Sequence, residues 1–263
     1  MLKNKILKKS GYFLKKVEDK IKLFCDDSHV LFKCLITNTL TRKKKFNIPL
    51  LVKCHRELRS LHEIYQPTTI DIFNHLTPKR ACGDRLNLII KDMNSDFSTI
   101  NDIGCQIGYF SFSLAEKGAN VTGFDMENKN ILICNMLKKL QGIEENLNFK
   151  KIAFSLENLD HFKKTDYTLC LAVFHHVILY QGIDTAKKLI KDIRNKTIKK
   201  LYFEIGQSNE KIDLWSKHLP DMGSDPYYWI ENFLKEAGFS QVKILGQVPT
   251  HLTDVRRYLI SAN

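Results

Sequence analysis

The 263-residue chain is 43% hydrophobic, long enough to bury one sizeable core with an appendage, and it has no run approaching the eighteen consecutive apolar residues of a membrane-spanning helix. Its seven cysteines are widely spaced and form no C-x-x-C pair, which argues against a disulfide framework or a zinc site and for a reducing cytosol. The net charge of +12 is concentrated at one end: residues 1–60 hold 16 Lys/Arg against 5 Asp/Glu, the rest 25 against 24.

The opening segment, LKNKILKKSGYFLKKVEDKIKLF, gathers Ile6, Leu7, Phe13, Leu14, Val17, Ile21 and Phe24 on one helical face with lysines on the other, despite Gly11, which costs roughly 1 kcal/mol relative to alanine. A basic amphipathic helix over residues 1–24 suits an anionic membrane surface, a phosphate backbone or packing on its own domain. It lacks the apolar core and cleavage site of a signal peptide, so the expected location is cytoplasmic, with peripheral contact at the inner face of the cytoplasmic membrane. An apolar stretch at 29–40 and an exposed basic loop, TRKKKF at 41–46, follow. Residues 1–60 therefore read as a helical extension and 61–263 as the main domain. Pro49 and Pro67 bracket a helical pattern, LLVKCHRELRSLHEIY, and LTPKRACGD at 76–84 reads as a loop before the helix RLNLIIKDM.

From residue 98 strands and helices alternate. Strands are expected near 99–103, 120–124, 147–152, 167–173, 198–205, 240–247 and 255–261, with helices near 108–117, 127–140, 155–161 and 184–195. This is an α/β pattern, a mostly parallel seven-stranded sheet wound on both faces. A helix at 227–237 is stopped by Gly238, and the turn-prone VPTHLTD makes the last two strands an antiparallel hairpin.

The stretch TINDIGCQIGYF places glycines after the first strand, where backbone can approach a ligand and the next helix presents free N–H groups. Alone, the D-x-G-x-x-x-G pattern would serve NAD equally well. Asp102, however, would repel a pyrophosphate and attract an ammonium, and Asp125 at the end of the second strand is placed to accept ribose hydroxyls. The two acids fit a ligand carrying an amino acid and an adenosine without phosphate.

This combination resembles the class I S-adenosylmethionine-dependent methyltransferases, a Rossmann-like fold. The resemblance implies S-adenosyl-L-methionine as cofactor, with Asp102, Gly104, Cys105 and Gly108 at its methionine end, Asp125 and Met126 at its ribose, and the loop at 154–157 beside adenine. Gln106 replaces the middle glycine of the fuller pattern, and Asn101 is an unusual polar strand residue. Four stretches, EIYQ (63–66), DRLNLI (84–89), LAVFHHVILYQGID (171–184) and THLTDVRRYLIS (250–261), narrow the likeness. Over roughly residues 60–262 they are similar to the methyltransferase domain of the bifunctional kinase–methyltransferases that cap bacterial O-polysaccharide chains. That likeness implies an oxygen acceptor, phosphate or hydroxyl, on a glycan or its precursor.

A phosphomonoester is already nucleophilic at neutral pH and needs cationic or N–H donors, whereas a hydroxyl gains about 10²- to 10⁴-fold from a general base. His175 and His176, leaving the fourth strand, and His251, between the last two, are the catalytic candidates. Arg256 and Arg257 offer bidentate anion recognition, although alternation sends only one inward, and Gln66 joins them as a substrate-binding candidate. Arg85 is expected to pair with the cofactor carboxylate, and Tyr65 to touch cofactor or acceptor. Glu204 either orients a histidine or faces water. Phe110, Phe112 and Leu114 read as helix packing, while Trp215, Tyr227, Tyr228 and Trp229 serve either core or sugar stacking. No metal is expected. Two other readings remain: an RNA methyltransferase, against which stands the lack of an N-P-P-Y-like stretch, and a degenerate binding subunit, against which stand the intact acids and glycines.

Overall fold

All seven expected strands form, and they lie in one sheet. The computed structural model describes Asp27, Ser28, Val30 and residues 47–263 apart from 95 and 213. The basic helix expected over 1–24 and the loop at 41–46 lie outside the described residues. The strands are β1 (Thr99–Ile103), β2 (Asn120–Asp125), β3 (Leu147–Lys151), β4 (Thr165–Leu171), β5 (Thr197–Glu204), β6 (Val242–Pro249) and β7 (Arg256–Ala262), in the order β3-β2-β1-β4-β5-β7-β6. The first five are parallel, so their C-terminal ends share one edge, and β7 runs antiparallel between β5 and β6. The hairpin thus folds back to insert its second strand beside β5.

Among the described residues the α-helices flanking the sheet are α1 (Ile48–Arg59), α2 (Gly83–Met93), α3 (Tyr109–Ala115), α4 (Asn128–Gln141), α5 (Phe174–Gln181), α6 (Ile183–Lys196) and α7 (Pro226–Glu236). Their ends follow local chemistry. Asn47 and Asp225 each accept a hydrogen bond from the first turn of α1 and α7, and Gly142 ends α4 in the left-handed region. Helix α1 stops at Arg59, six residues before the expected end at Tyr65, because the Ser60 hydroxyl and amide both bond back to Glu57 O. Tyr65 and Gln66 therefore lie on irregular chain. The stretch at 155–161 is a short 3-10 helix over Leu156–His161. Helix α5 was not among the expected helices; it fills the interval between the expected strand end at 173 and the helix expected from 184.

Strand alternation divides the core between two faces. Ile100, Tyr167, Leu169 and Tyr202 pack with Leu51, Leu58, Ile89, Phe112 and Leu137 on one side. Ile103, Cys170, Leu201 and Phe203 pack with Phe174, Leu189, Phe233 and Leu234 on the other. Since Leu51, Cys54 and Leu58 of α1 are fully buried and α1 lies on α4, residues 48–59 are part of this core. No described helix is long and apolar enough to cross a membrane.

Candidate active site

The shared C-terminal edge of β1, β2, β4 and β5 carries most of the residues singled out from sequence, as expected where helices cover both faces of a parallel sheet. After β1 the chain turns sharply: the amides of Gly104 and Cys105 both donate to Phe124 O, at 2.8 and 2.9 Å. Gly104 has φ +73°, and a Cβ there would sit under 3.0 Å from Val173 Cγ2, so the turns following β1 and β4 approach each other only because this residue has no side chain. Gln106, at the position where the fuller pattern has glycine, adopts the same left-handed region at φ +53° and is held there from two sides. Its amide donates to Asp125 Oδ2 at 2.9 Å, and its side-chain oxygen accepts from the Ile107 amide at 2.8 Å. Gly108, φ +86°, leads into α3, whose Tyr109 amide donates to Gln66 Oε1 at 3.1 Å.

Asp125 ends β2 and accepts three hydrogen bonds, from the amides of Gln106 and Glu127 and from Asn130 Nδ2. A carboxylate offers about four acceptor positions, which leaves one for a ligand hydroxyl. Burial raises its pKa, against the pull of those donors. Met126, next along, is 64% exposed. Asp102 is the more unusual group. Its side chain is buried, Ser111 supports it through Oγ at 2.6 Å and through its backbone, and among the described residues no cation forms an ion pair with it, although the charge of Arg85 reaches it. Burial first, with the charge of Asp125 adding to it, pushes its pKa up to about 6 against the pull of Ser111. A buried carboxylate in this state would gain from an ammonium, and the pair of acids with a close glycine approach between them fits S-adenosyl-L-methionine. Cys105 contributes backbone alone, since its side chain is 1% exposed and turned toward Cys134.

The acceptor-side candidates divide by depth. His175 is buried, with its ring between His176 and Trp215 at centroid distances of 4.2 and 4.6 Å. Its Nδ1 accepts from the Gly206 amide at 3.2 Å, so the neutral ring carries its proton on Nε2 and can only donate there. Burial, and then the charges of His176, Arg257 and Arg80, hold its pKa well below the usual value. His176 is exposed, with a pKa lowered by surrounding protein and by Arg257. His251 is half-buried and stands edge-on to the Tyr65 ring at 5.1 Å.

Beneath these groups lies an ionic cluster that engages several of the residues singled out from sequence. Glu204, ending β5, neither meets water nor orients a histidine. It is fully buried and faces Arg80 at 2.7 Å, Arg85 at 3.2 Å and Arg257 at 3.5 Å, whose charges outweigh burial and lower its pKa. Arg85, expected at the cofactor carboxylate, is committed to Glu204 and to Cys82 Sγ and lies over the Phe110 ring. Arg257 is the inward member of its pair, as alternation requires, but Glu210 already holds its fork at 2.7 and 2.9 Å. Arg256 points outward and donates to Gln247 O. Trp215 is 2% exposed under Arg257 and His175, which removes it from any sugar-stacking surface, whereas Tyr228 remains 65% exposed. Phe110, Phe112 and Leu114 are core residues. Gln66, expected at the substrate, caps α3. Tyr65 accepts from Arg80 Nη1 at 3.0 Å. Sequence reasoning missed Arg80 and Glu210; the available signal was Glu204 itself, an acid closing an apolar strand that requires a buried counter-charge. Among the described residues no cluster of three or more His, Cys, Asp or Glu is arranged to hold a metal.

A methyltransferase-domain family matches residues 101–201. The O-antigen chain terminator bifunctional methyltransferase/kinase WbdD of Escherichia coli is 31% identical over 222 residues, which are 76% of this chain and 28% of WbdD. The chain thus spans less than a third of that relative. A ubiquinone biosynthesis O-methyltransferase of Rickettsia bellii is 30% identical over 119 residues, 43% of this chain and 47% of that one. A crystal structure of WbdD superposes with a TM-score of 0.69 at 26% identity, covering 80% of this chain and 46% of that one. The N-terminal domain of EvdMO1, solved in the presence of SAH and D-fucose, shares the fold, with a TM-score of 0.56 at 14% identity over 80% of this chain and 94% of that one. Strand order, glycine turn and both levels of similarity agree: the chain belongs to the class I methyltransferases.

Proposed function

We propose that this protein transfers a methyl group from S-adenosyl-L-methionine to an oxygen, phosphate or hydroxyl, of a bacterial surface glycan or its precursor, at the cytoplasmic side of the membrane. Asp102 carries the reading. It is a buried carboxylate without a paired cation among the described residues, one strand from Asp125, and an ammonium bound beside it would restore its charge. Bound there, the cofactor supplies an electrophilic methyl carbon. The chain has to orient the acceptor oxygen behind that carbon and exclude water.

On the acceptor side three buried guanidinium groups face two buried carboxylates, leaving one unit of positive charge. The Nε atoms of Arg80 and Arg85 are buried without hydrogen-bond partners among the described residues. That surplus acts through its field, since the guanidinium groups are buried, and with the Nε2–H of His175 it favours a phosphate acceptor, which needs no base. For a hydroxyl acceptor, His176 is the exposed ring that is neutral at pH 7 and free to take a proton. The glycan acceptor is supported by the likeness to WbdD, and oxygen as the target also by the likeness to the ubiquinone O-methyltransferase. Residues 1–24 would then hold the enzyme near lipid-linked acceptors.

Methyl-labelled S-adenosyl-L-methionine, offered with hexose phosphates, free hexoses and an RNA oligonucleotide, tests the reading. Label in a sugar or its phosphate is expected. Label in RNA alone, or none in any acceptor, overturns it.

A further inference from the structure

Arg80 joins three segments that are far apart in sequence. Its Nη2 donates to Glu204 Oε1 at 2.7 Å, at the end of β5, and to Pro249 O at 3.1 Å, at the end of β6; its Nη1 donates to Tyr65 OH. Backbone bonds reinforce the link, since the amides of Lys79 and Arg80 donate to Ile64 O and Tyr65 O at 2.8 and 3.0 Å. Tyr65 in turn stands against His251, two residues beyond Pro249, while its neighbour Gln66 caps the helix after the glycine turn. One guanidinium therefore ties the segment before the core, the end of β5 and the β6–β7 loop together.

Stability alone is a poor reason for this arrangement. Glu204 also faces Arg85 and Arg257, so Arg80 is one of three counter-charges to it, and it buries an Nε with no partner among the described residues. Buried ion pairs contribute little net stability and often persist for the geometry they impose. A planar fork with donors in several fixed directions can hold three acceptors at once, which an ammonium cannot reproduce.

We propose that Arg80 is a positioning residue for methyl transfer, holding Tyr65 and the loop bearing His251 in register with Glu204 on the acceptor side of the site. This rests on the methyltransferase reading above. Because the Tyr65 oxygen accepts from Arg80, its own proton is left to donate, and Arg80 sets where that proton points toward the acceptor.

The test uses the full chain, with Arg80→Lys, Tyr65→Phe and the double variant. Tyr65→Phe removes one hydroxyl from a half-buried side chain and leaves the ionic cluster whole. With a hexose phosphate as acceptor and labelled S-adenosyl-L-methionine, each single variant should lower kcat/KM for the acceptor about 10- to 100-fold, with S-adenosylhomocysteine affinity within about twofold of wild type. The double variant should be no worse than Arg80→Lys. Amide hydrogen exchange across residues 62–66 and 249–255 should quicken together, about tenfold, in Arg80→Lys. Independent effects that multiply, losses that merely follow the folded fraction, or exchange unchanged in both segments would overturn the proposal. A wild type that binds S-adenosylhomocysteine and methylates nothing sinks the functional reading instead, and the exchange data still decide whether Arg80 holds the segments together.

Discussion

Replacing Gly104 by alanine strikes the turn on which the whole site depends. The residue sits at φ +73°, where an L side chain costs roughly 1–2 kcal/mol. The new Cβ would also fall under 3.0 Å from Cγ2 of Val173, a half-buried residue at the start of α5, and making room costs about 1–3 kcal/mol more. The sum is a loss of about 2–5 kcal/mol, measurable by urea unfolding of the purified protein. The two parts are separable. Val173→Ala removes the offending Cγ2 and leaves φ untouched, so in a double-mutant cycle it should return about 1–3 kcal/mol of the Gly104→Ala penalty and no more. Strict additivity would mean that the turns after β1 and β4 do not meet as described, and a neutral Gly104→Ala would refute the turn geometry altogether.

Three further outcomes follow from the electrostatics. In the absence of ligand, the folded protein between pH 4 and about 6 holds a proton on Asp102 that the unfolded chain has released, so this group's stabilising contribution is present at low pH and is lost as pH rises through about 6. A bound ammonium favours the ionised form. S-adenosylhomocysteine should therefore bind more tightly as pH rises toward about 6 and then level off, while 5′-methylthioadenosine, which lacks the amino acid, should not respond; equal slopes in calorimetry contradict the assignment. Glu204→Gln leaves three buried guanidinium groups without their shared carboxylate and should cost about 3–5 kcal/mol in chemical denaturation, whereas a loss below about 1 kcal/mol would show the cluster to be open to water. For His175→Gln the rate of methyl transfer should fall with the shape of its pH profile between pH 6 and 9 unchanged, because the ring is a neutral donor throughout; disappearance of a titrating limb would make it a base.

The parts legible in the sequence are those encoded locally. Asp102, Gly104, Gly108 and Asp125 lie within one strand-turn-helix-strand unit, so their positions follow once β1 and β2 are recognised on either side of the glycine turn and its helix. The left-handed turn at Gln106 was foreshadowed by its place in the glycine pattern. Helix α5 was hidden because Leu179 and the exposed Tyr180 add apolar residues away from its buried face of Phe174, His175, Val177 and Ile178, which blurs the periodic signature. The ionic cluster was hidden for another reason. Arg80 and Arg85 meet Glu204 across 124 and 119 residues, and no local pattern distinguishes a solvated arginine in a loop from one drawn under a sheet edge by a buried acid. For the same reason Arg257 was offered to a ligand where the fold pairs it with Glu210, and Trp215 was left open between core and sugar where the fold packs it beneath that arginine.

The central claim is that an adenosine-bearing amino acid lies between Asp102 and Asp125. Calorimetric titration of S-adenosylhomocysteine into the wild type and Asp125→Ala tests it most directly. Binding at one site per chain, weakened about 10- to 100-fold by the substitution, is predicted. No heat of binding in the wild type, or an affinity that Asp125→Ala leaves untouched, would contradict it.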